Sequence, residues 1–153
     1  MSRADSPSFS SAVTLTSRWN LASILIAEGN ETVARLFVSY LVHSGHQAAE
    51  CEDFQSAVSR LNSDESIDLI LLSYRISGGD GLSLIKVIRS IDFRSTTPIL
   101  MVTGSPEVEL PALQAGATAV LPKPVDLGTL LAMVERLTAI DPQTNPSEQQ
   151  PGN

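Results

Sequence analysis

Short apolar runs alternate with segments of helical period from Ile24 to Leu137. Ile24-Leu25-Ile26 reads as a buried strand. The set Val33, Leu36, Phe37, Tyr40 and Leu41 after it falls on one face of a helix, because positions three and four apart share a side of a 3.6-residue turn. Asn30 can cap that helix and Gly45 can end it. A weaker strand around Gln47 to Cys51 precedes a helix with Phe54, Ala57, Val58 and Leu61 on one side. Leu69 to Leu72, a glycine-rich loop and a helix aligned on Leu84, Val87, Ile88 and Ile91 follow. Ile99 to Val102 is the fourth strand, Ala119 to Leu121 the fifth, and Leu127, Leu130, Leu131, Val134 and Leu137 stripe the last helix. Between strands four and five, Ser105 is expected to cap a helix with Pro106 in its first turn. Pro111 is expected to interrupt that helix after one or two turns, leaving it short or bent.

Five βα units in about 120 residues, with strands that are continuously apolar rather than alternating, predict a parallel sheet covered by helices on both faces. The α/β, flavodoxin-like order 2-1-3-4-5 fits best, and it places ligands and chemistry beyond the carboxyl ends of the strands. The residues there are Glu28, Gly29 and Asn30 after strand one, Ser73 to Arg75 after strand three, Thr103 after strand four and Lys123 after strand five.

Composition refines this picture. At 153 residues and 42% hydrophobic content, one domain with one sizeable core is expected. Residues 1–20 hold six serines, and the last thirteen, 141–153, carry no apolar side chain but proline, so tails are expected on either side of a domain at 21–140. The first tail differs in carrying Phe9, Val13, Leu15 and Trp19, which can dock on the domain or on a partner. No apolar run approaches the ~20 residues of a membrane span. The lone Cys51 and the absence of a charged-then-apolar leader point to a reducing cytoplasm. A net charge of -7 repels phosphodiester backbones, so a protein partner is expected rather than a nucleic acid. The acidic residues around helix two, from Glu50 to Asp68, read as a solvated face. His43 and His46 read as residues at the end of helix one, with no metal-site spacing around them.

Ser73 closes the third strand, Asp80-Gly81 follow it, Thr103 ends the fourth strand and Lys123-Pro124 the fifth. That set resembles the receiver domain of bacterial two-component response regulators, over about residues 22 to 139. The resemblance implies an acidic pair after strand one, a phosphoryl-accepting Asp after strand three, a hydroxyl after strand four and a Lys before a cis Pro after strand five. Glu28 stands at the first acidic position, but Gly29 stands at the second, whose carboxylate binds magnesium in the family. Ser73 stands at the acceptor, Thr103 at the hydroxyl and Lys123 at the cation. Val120 occupies a switch position that the family fills with Tyr or Phe. Arg75 falls at the loop position whose backbone carbonyl touches the metal in a working receiver. Asp80 is read as the cap of the third helix.

Magnesium requires near-octahedral oxygen ligation, and two of the three carboxylates that would supply it are missing. A pocket holding Glu28 and Lys123 is close to neutral, so no metal or cofactor is expected, and Lys123 is expected to pair with Glu28. Ser73 is expected to be a structural hydroxyl bonded to Lys123 or to the backbone. The reading favoured is a stand-alone degenerate receiver that is not an enzyme and works by phosphorylation-independent protein contact. By resemblance its partners are a histidine kinase, a phosphotransfer protein, another receiver or a second copy through the helix-four to helix-five face. Three alternatives stay open. One is a phospho-switch whose acceptor has moved to Ser73 or Glu28. Another is an FMN-binding flavodoxin using the Gly29-Asn30-Glu31-Thr32 turn, and the last is an aspartate-nucleophile phosphohydrolase.

Overall fold

The computed structural model describes residues 21–139, so the two tails expected at 1–20 and 141–153 lie outside the described residues. Five parallel strands form the central sheet in the order 2-1-3-4-5: β1 (Ser23–Ala27), β2 (Gln47–Glu50), β3 (Leu69–Ser73), β4 (Ile99–Thr103) and β5 (Ala119–Pro122). The five principal helices are α1 (Glu31–His43), α2 (Phe54–Leu61), α3 (Gly81–Ser90), α4 (Glu109–Ala115) and α5 (Leu127–Ala139). Alternate side chains of the strands enter two separate layers. Leu25, Ile70, Leu72, Ile99 and Met101 pack toward α2, α3 and α4, whereas Ile24, Ile26, Leu69, Leu71, Leu100 and Val102 pack toward α1 and α5. Continuous rather than alternating hydrophobicity in β3 and β4 follows, because both of their faces are buried.

Two expected caps form, at Asn30 and Asp80, and α2 gains one at Asp53 that the sequence reading did not name. Asn30 Oδ1 accepts from the Val33 amide, Asp53 and Ser56 form a reciprocal capping box on α2, and Asp80 Oδ1 accepts from the Ser83 amide. The segment after β4 departs from expectation. Pro106–Val108 is a 3-10 turn that leads into the seven-residue α4, and Ser105 makes no side-chain cap. Instead the Ser105 amide donates to Thr103 Oγ1 at 3.1 Å. Pro111 does not interrupt the helix. It is the third residue of α4, in the first turn, where an N–H has no intrahelical acceptor to lose, so α4 is short because it begins late.

His46 also corrects the expectation, since it lies beyond α1 as a buried residue whose Nδ1 accepts from the Ala22 amide at 3.1 Å. Two arginines hold loop ends that no hydrophobic pattern announces. Arg94 is buried and donates to the carbonyls of Leu61, Ser63 and Glu65, satisfying acceptors at and beyond the carboxyl end of α2. Arg89 does the same for Gly116 after α4, at 2.8 and 3.0 Å.

Cys51 sits at the end of β2, and burial pushes its thiol up from 9.0 to about 11, against a smaller opposing pull from Arg60. The folded chain should therefore alkylate about a hundredfold more slowly at Cys51 below pH 9 than the denatured chain, from the thiolate fraction alone. The same shift makes stability fall as pH rises from 9.0 toward about 11, because the unfolded thiol ionises there and the folded one does not. Iodoacetamide labelling with and without denaturant checks the rate, and equal rates would contradict it.

Candidate functional site

The carboxyl ends of β1, β3, β4 and β5 bring together the residues that the sequence singled out. Glu28 follows β1 directly, and its side chain is 4% exposed. Its Oε2 accepts from the Asn30 amide at 2.8 Å, which ties the carboxylate to the turn that starts α1. Its Oε1 accepts from Lys123 Nζ at 2.9 Å. Lys123 is presented by the turn after β5, where its amide donates to the Thr103 carbonyl at 2.9 Å and the Lys123-Pro124 peptide is cis. Glu28 and Lys123 thus form the ion pair that their charges alone suggest.

Ser73 ends β3 with 1% of its surface exposed. Its hydroxyl donates to the Arg75 carbonyl at 2.9 Å, a backbone partner, and not to Lys123. The Gly29 amide donates to the same carbonyl, also at 2.9 Å. Close approach explains the glycine: a Cβ at position 29 would overlap the Arg75 carbonyl oxygen and stand 3.0 Å from its carbon. The loop that carries Arg75 is itself braced. Arg75–Ile76 pairs antiparallel with Gly79–Asp80, and Gly79 lies so close over Phe54 that a Cβ there would stand 2.8 Å from the ring Cγ. The loop is thus packed closely against Gly29 at one end and against Phe54 at the other.

Thr103 is buried, with its Oγ1 taken by the Ser105 amide. Two recesses open around these groups. One, of about 630 Å³, is lined by Glu28, Gly29, Asn30, Arg75, Asp80 and Lys123 among others. The other, of about 310 Å³, is lined by Ser73, Thr103, Ser105, Arg75 and Lys123 among others. Lys123 and Arg75 border both, and the first holds two carboxylates against two cations. Val120 lies in β5 opposite Met101 and packs, half-buried, on the layer under α2, α3 and α4.

Magnesium does not fit this set. The carbonyl positioned to be a ligand already accepts two hydrogen bonds, one carboxylate is paired with a lysine, and Ser73 and Gly29 supply no charge. Among the described residues no group of three or more His, Cys, Asp or Glu is placed to hold a metal ion. The receiver resemblance marked the Arg75 carbonyl as a position of interest, but not that Ser73 and Gly29 would both donate to it, because a backbone acceptor is common to every residue. The relevant signal was the pair of replacements at 29 and 73, and it is the fold that shows they share one partner.

Residues 24–135 match the response regulator receiver domain, and the chain belongs to that family. It is a receiver domain of two-component signalling, and the family acts as signalling modules that contact histidine kinases and other proteins. The phosphate regulon transcriptional regulatory protein PhoB of Escherichia coli (strain K12) is 32% identical over 114 residues, covering 73% of this chain and 49% of that protein. The chain spans about half the length of the curated relatives it matches. A putative response regulator from Chloroflexus aurantiacus superposes with a TM-score of 0.73 at 25% identity, covering 78% of this chain and 99% of the other. The receiver domain of the sensor histidine kinase PA1611 from Pseudomonas aeruginosa, whose structure has a magnesium ion coordinated in its active site cleft, shares the fold at TM-score 0.72 and 24% identity, with 78% and 99% covered.

Proposed function

We propose that this receiver domain signals through protein contacts without being phosphorylated, and that Glu28, Gly29, Ser73, Thr103 and Lys123 line a vestigial phosphorylation pocket. The observation that carries the reading is the Arg75 carbonyl, which accepts both the Ser73 hydroxyl and the Gly29 amide. The two residues that stand where carboxylates are required are hydrogen-bonded to the atom that would face the metal, so the pocket is satisfied from within. Ser73 is a poor acceptor for the same reason. Its hydroxyl is buried and committed, no general base among the described residues is hydrogen-bonded to it, and a serine ester lacks the lability of an acyl phosphate.

Partners of this domain are a histidine kinase, a phosphotransfer protein or another receiver, in a cytoplasmic setting. Leu110 and Leu113 of α4 are exposed at 63% and 41% and supply an apolar surface for such contacts, including a homodimer through the α4–α5 face. Val120 transmits little between pocket and surface, because a valine has no ring to swing. The net charge of -7 argues against direct contact with nucleic acid. The described helices include none long and apolar enough to cross a membrane.

The test is a titration of the isotope-labelled chain with magnesium and then beryllofluoride, a mimic of an aspartyl phosphate, followed by amide NMR. The expected result is no saturable shift at Ser73, Thr103 or Lys123. Saturable shifts there would show a pocket that still reads a phosphoryl-like ligand, and phosphorylation independence would be abandoned.

A further inference from the structure

An apolar groove of about 430 Å³ lies on the other side of Lys123, between the first turns of α1 and the start of α5. Val33, Leu36, Phe37, Pro124, Val125 and Leu127 line it, and Leu36 is 49% exposed. Its one charged lining residue is Lys123, which is already paired with Glu28. A charged occupant would therefore be desolvated without a counter-ion, whereas an uncharged apolar one would not.

We propose that the groove is covered by the chain's own segment Phe9–Leu15. This stretch, Phe9-Ser10-Ser11-Ala12-Val13-Thr14-Leu15, has no charge and carries apolar side chains at four positions, three of them larger than alanine, among small polar ones. Residues 1–20 lie outside the described residues, but the point at which they join the domain is fixed. Ala22 belongs to the core layer under α1 and α5, its amide donates to His46, and His46 Nε2 is 3.5 Å from Glu135 Oε2 of α5. The chain thus joins the domain on the same side as the groove, beside the later turns of α5.

Reach decides which residues qualify. Leu21 stands at the amino end of β1 and the groove at its carboxyl end, a span of about 20 Å for a five-residue strand and its flanks. At roughly 3.4 Å per extended residue, Trp19 reaches only about 7 Å from Leu21, Leu15 about 20 Å, Val13 about 27 Å and Phe9 about 40 Å. Trp19 is excluded. Leu15 arrives at the near edge, and Val13 and Phe9 enter with slack. The geometry points to Phe9 and Val13 as the anchors.

A nitroxide on Ser11→Cys in the full chain tests this, since the native Cys51 is buried and escapes mild labelling. Broadening is expected at the amides of Val33, Leu36, Val125 and Leu127. It should be absent when spin-labelled chain without isotope is mixed with isotope-labelled chain without spin label. Phe9→Ser with Val13→Ser should abolish it. Unbroadened groove amides would overturn the proposal. Broadening in the mixed sample would assign the groove to a second copy instead, and broadening that survives the double substitution would remove Phe9 and Val13 as anchors. Each of those results also contradicts the intramolecular docking as stated.

Discussion

Gly29→Asp combined with Ser73→Asp should give the domain a saturable magnesium site, while Ser73→Asp alone should give none. The single change removes one of the two donors on the Arg75 carbonyl but leaves the Gly29 amide bonded to it. It also buries a second carboxylate beside Glu28 with only Lys123 to balance the two. Destabilisation of about 1–3 kcal/mol is the expected consequence, without metal binding to offset it. Gly29→Asp acts differently, because its Cβ overlaps the Arg75 carbonyl and the Tyr74 to Asp80 loop must withdraw to admit it. That withdrawal frees the carbonyl oxygen as a ligand. Glu28 and Lys123 cancel, so two added aspartates bring the site to a net charge of -2, which favours a divalent cation.

Thermal unfolding in rising magnesium measures the effect, since a ligand that binds only the folded state raises the midpoint by mass action. The double variant should show a magnesium-dependent rise, and both the parent and Ser73→Asp should show none. A rise in Ser73→Asp alone would mean that charge, and not closure of the loop by Gly29, keeps the metal out.

The strands, the two-faced burial and the caps at Asn30 and Asp80 were legible because each rests on local spacing. Ile24 to Ile26, Leu69 to Leu72 and Ile99 to Val102 are runs that only a sheet covered on both sides can bury. The Glu28 and Lys123 pair was also legible, by subtraction: once the other carboxylates are absent, Glu28 is the acid left at those strand ends and Lys123 the cation set directly after strand five. What escaped were polar contacts between residues far apart in sequence. Arg94 reads as one surface cation among several, yet it binds carbonyls roughly thirty positions back. Thr103 rather than Ser105 organises the turn after β4, because the hydroxyl that counts is chosen by the path of the backbone. His46 was misplaced for a related reason, since a histidine just past a helix end carries no sign of whether the next strand will bury it.

Removing the lysine from the pocket should cost far more than removing the carboxylate. Lys123→Met leaves Glu28 nearly buried with its negative charge uncompensated, and the donor that remains among the described residues, the Asn30 amide, contacts only Oε2. Because Lys123 is itself 30% exposed, the loss is discounted from that of a fully buried pair, to about 2–3 kcal/mol. Glu28→Gln leaves a lysine that can turn toward solvent and a side-chain oxygen that can keep the Asn30 bond, so about 1 kcal/mol is expected. The double variant carries neither charge, and it should recover about 1–2 kcal/mol relative to the sum of the single losses. Urea unfolding of all four proteins closes the cycle. Strictly additive losses would mean that the pair contributes nothing as a pair, and that Lys123 holds the turn after β5 through its amide bond to the Thr103 carbonyl rather than through Glu28.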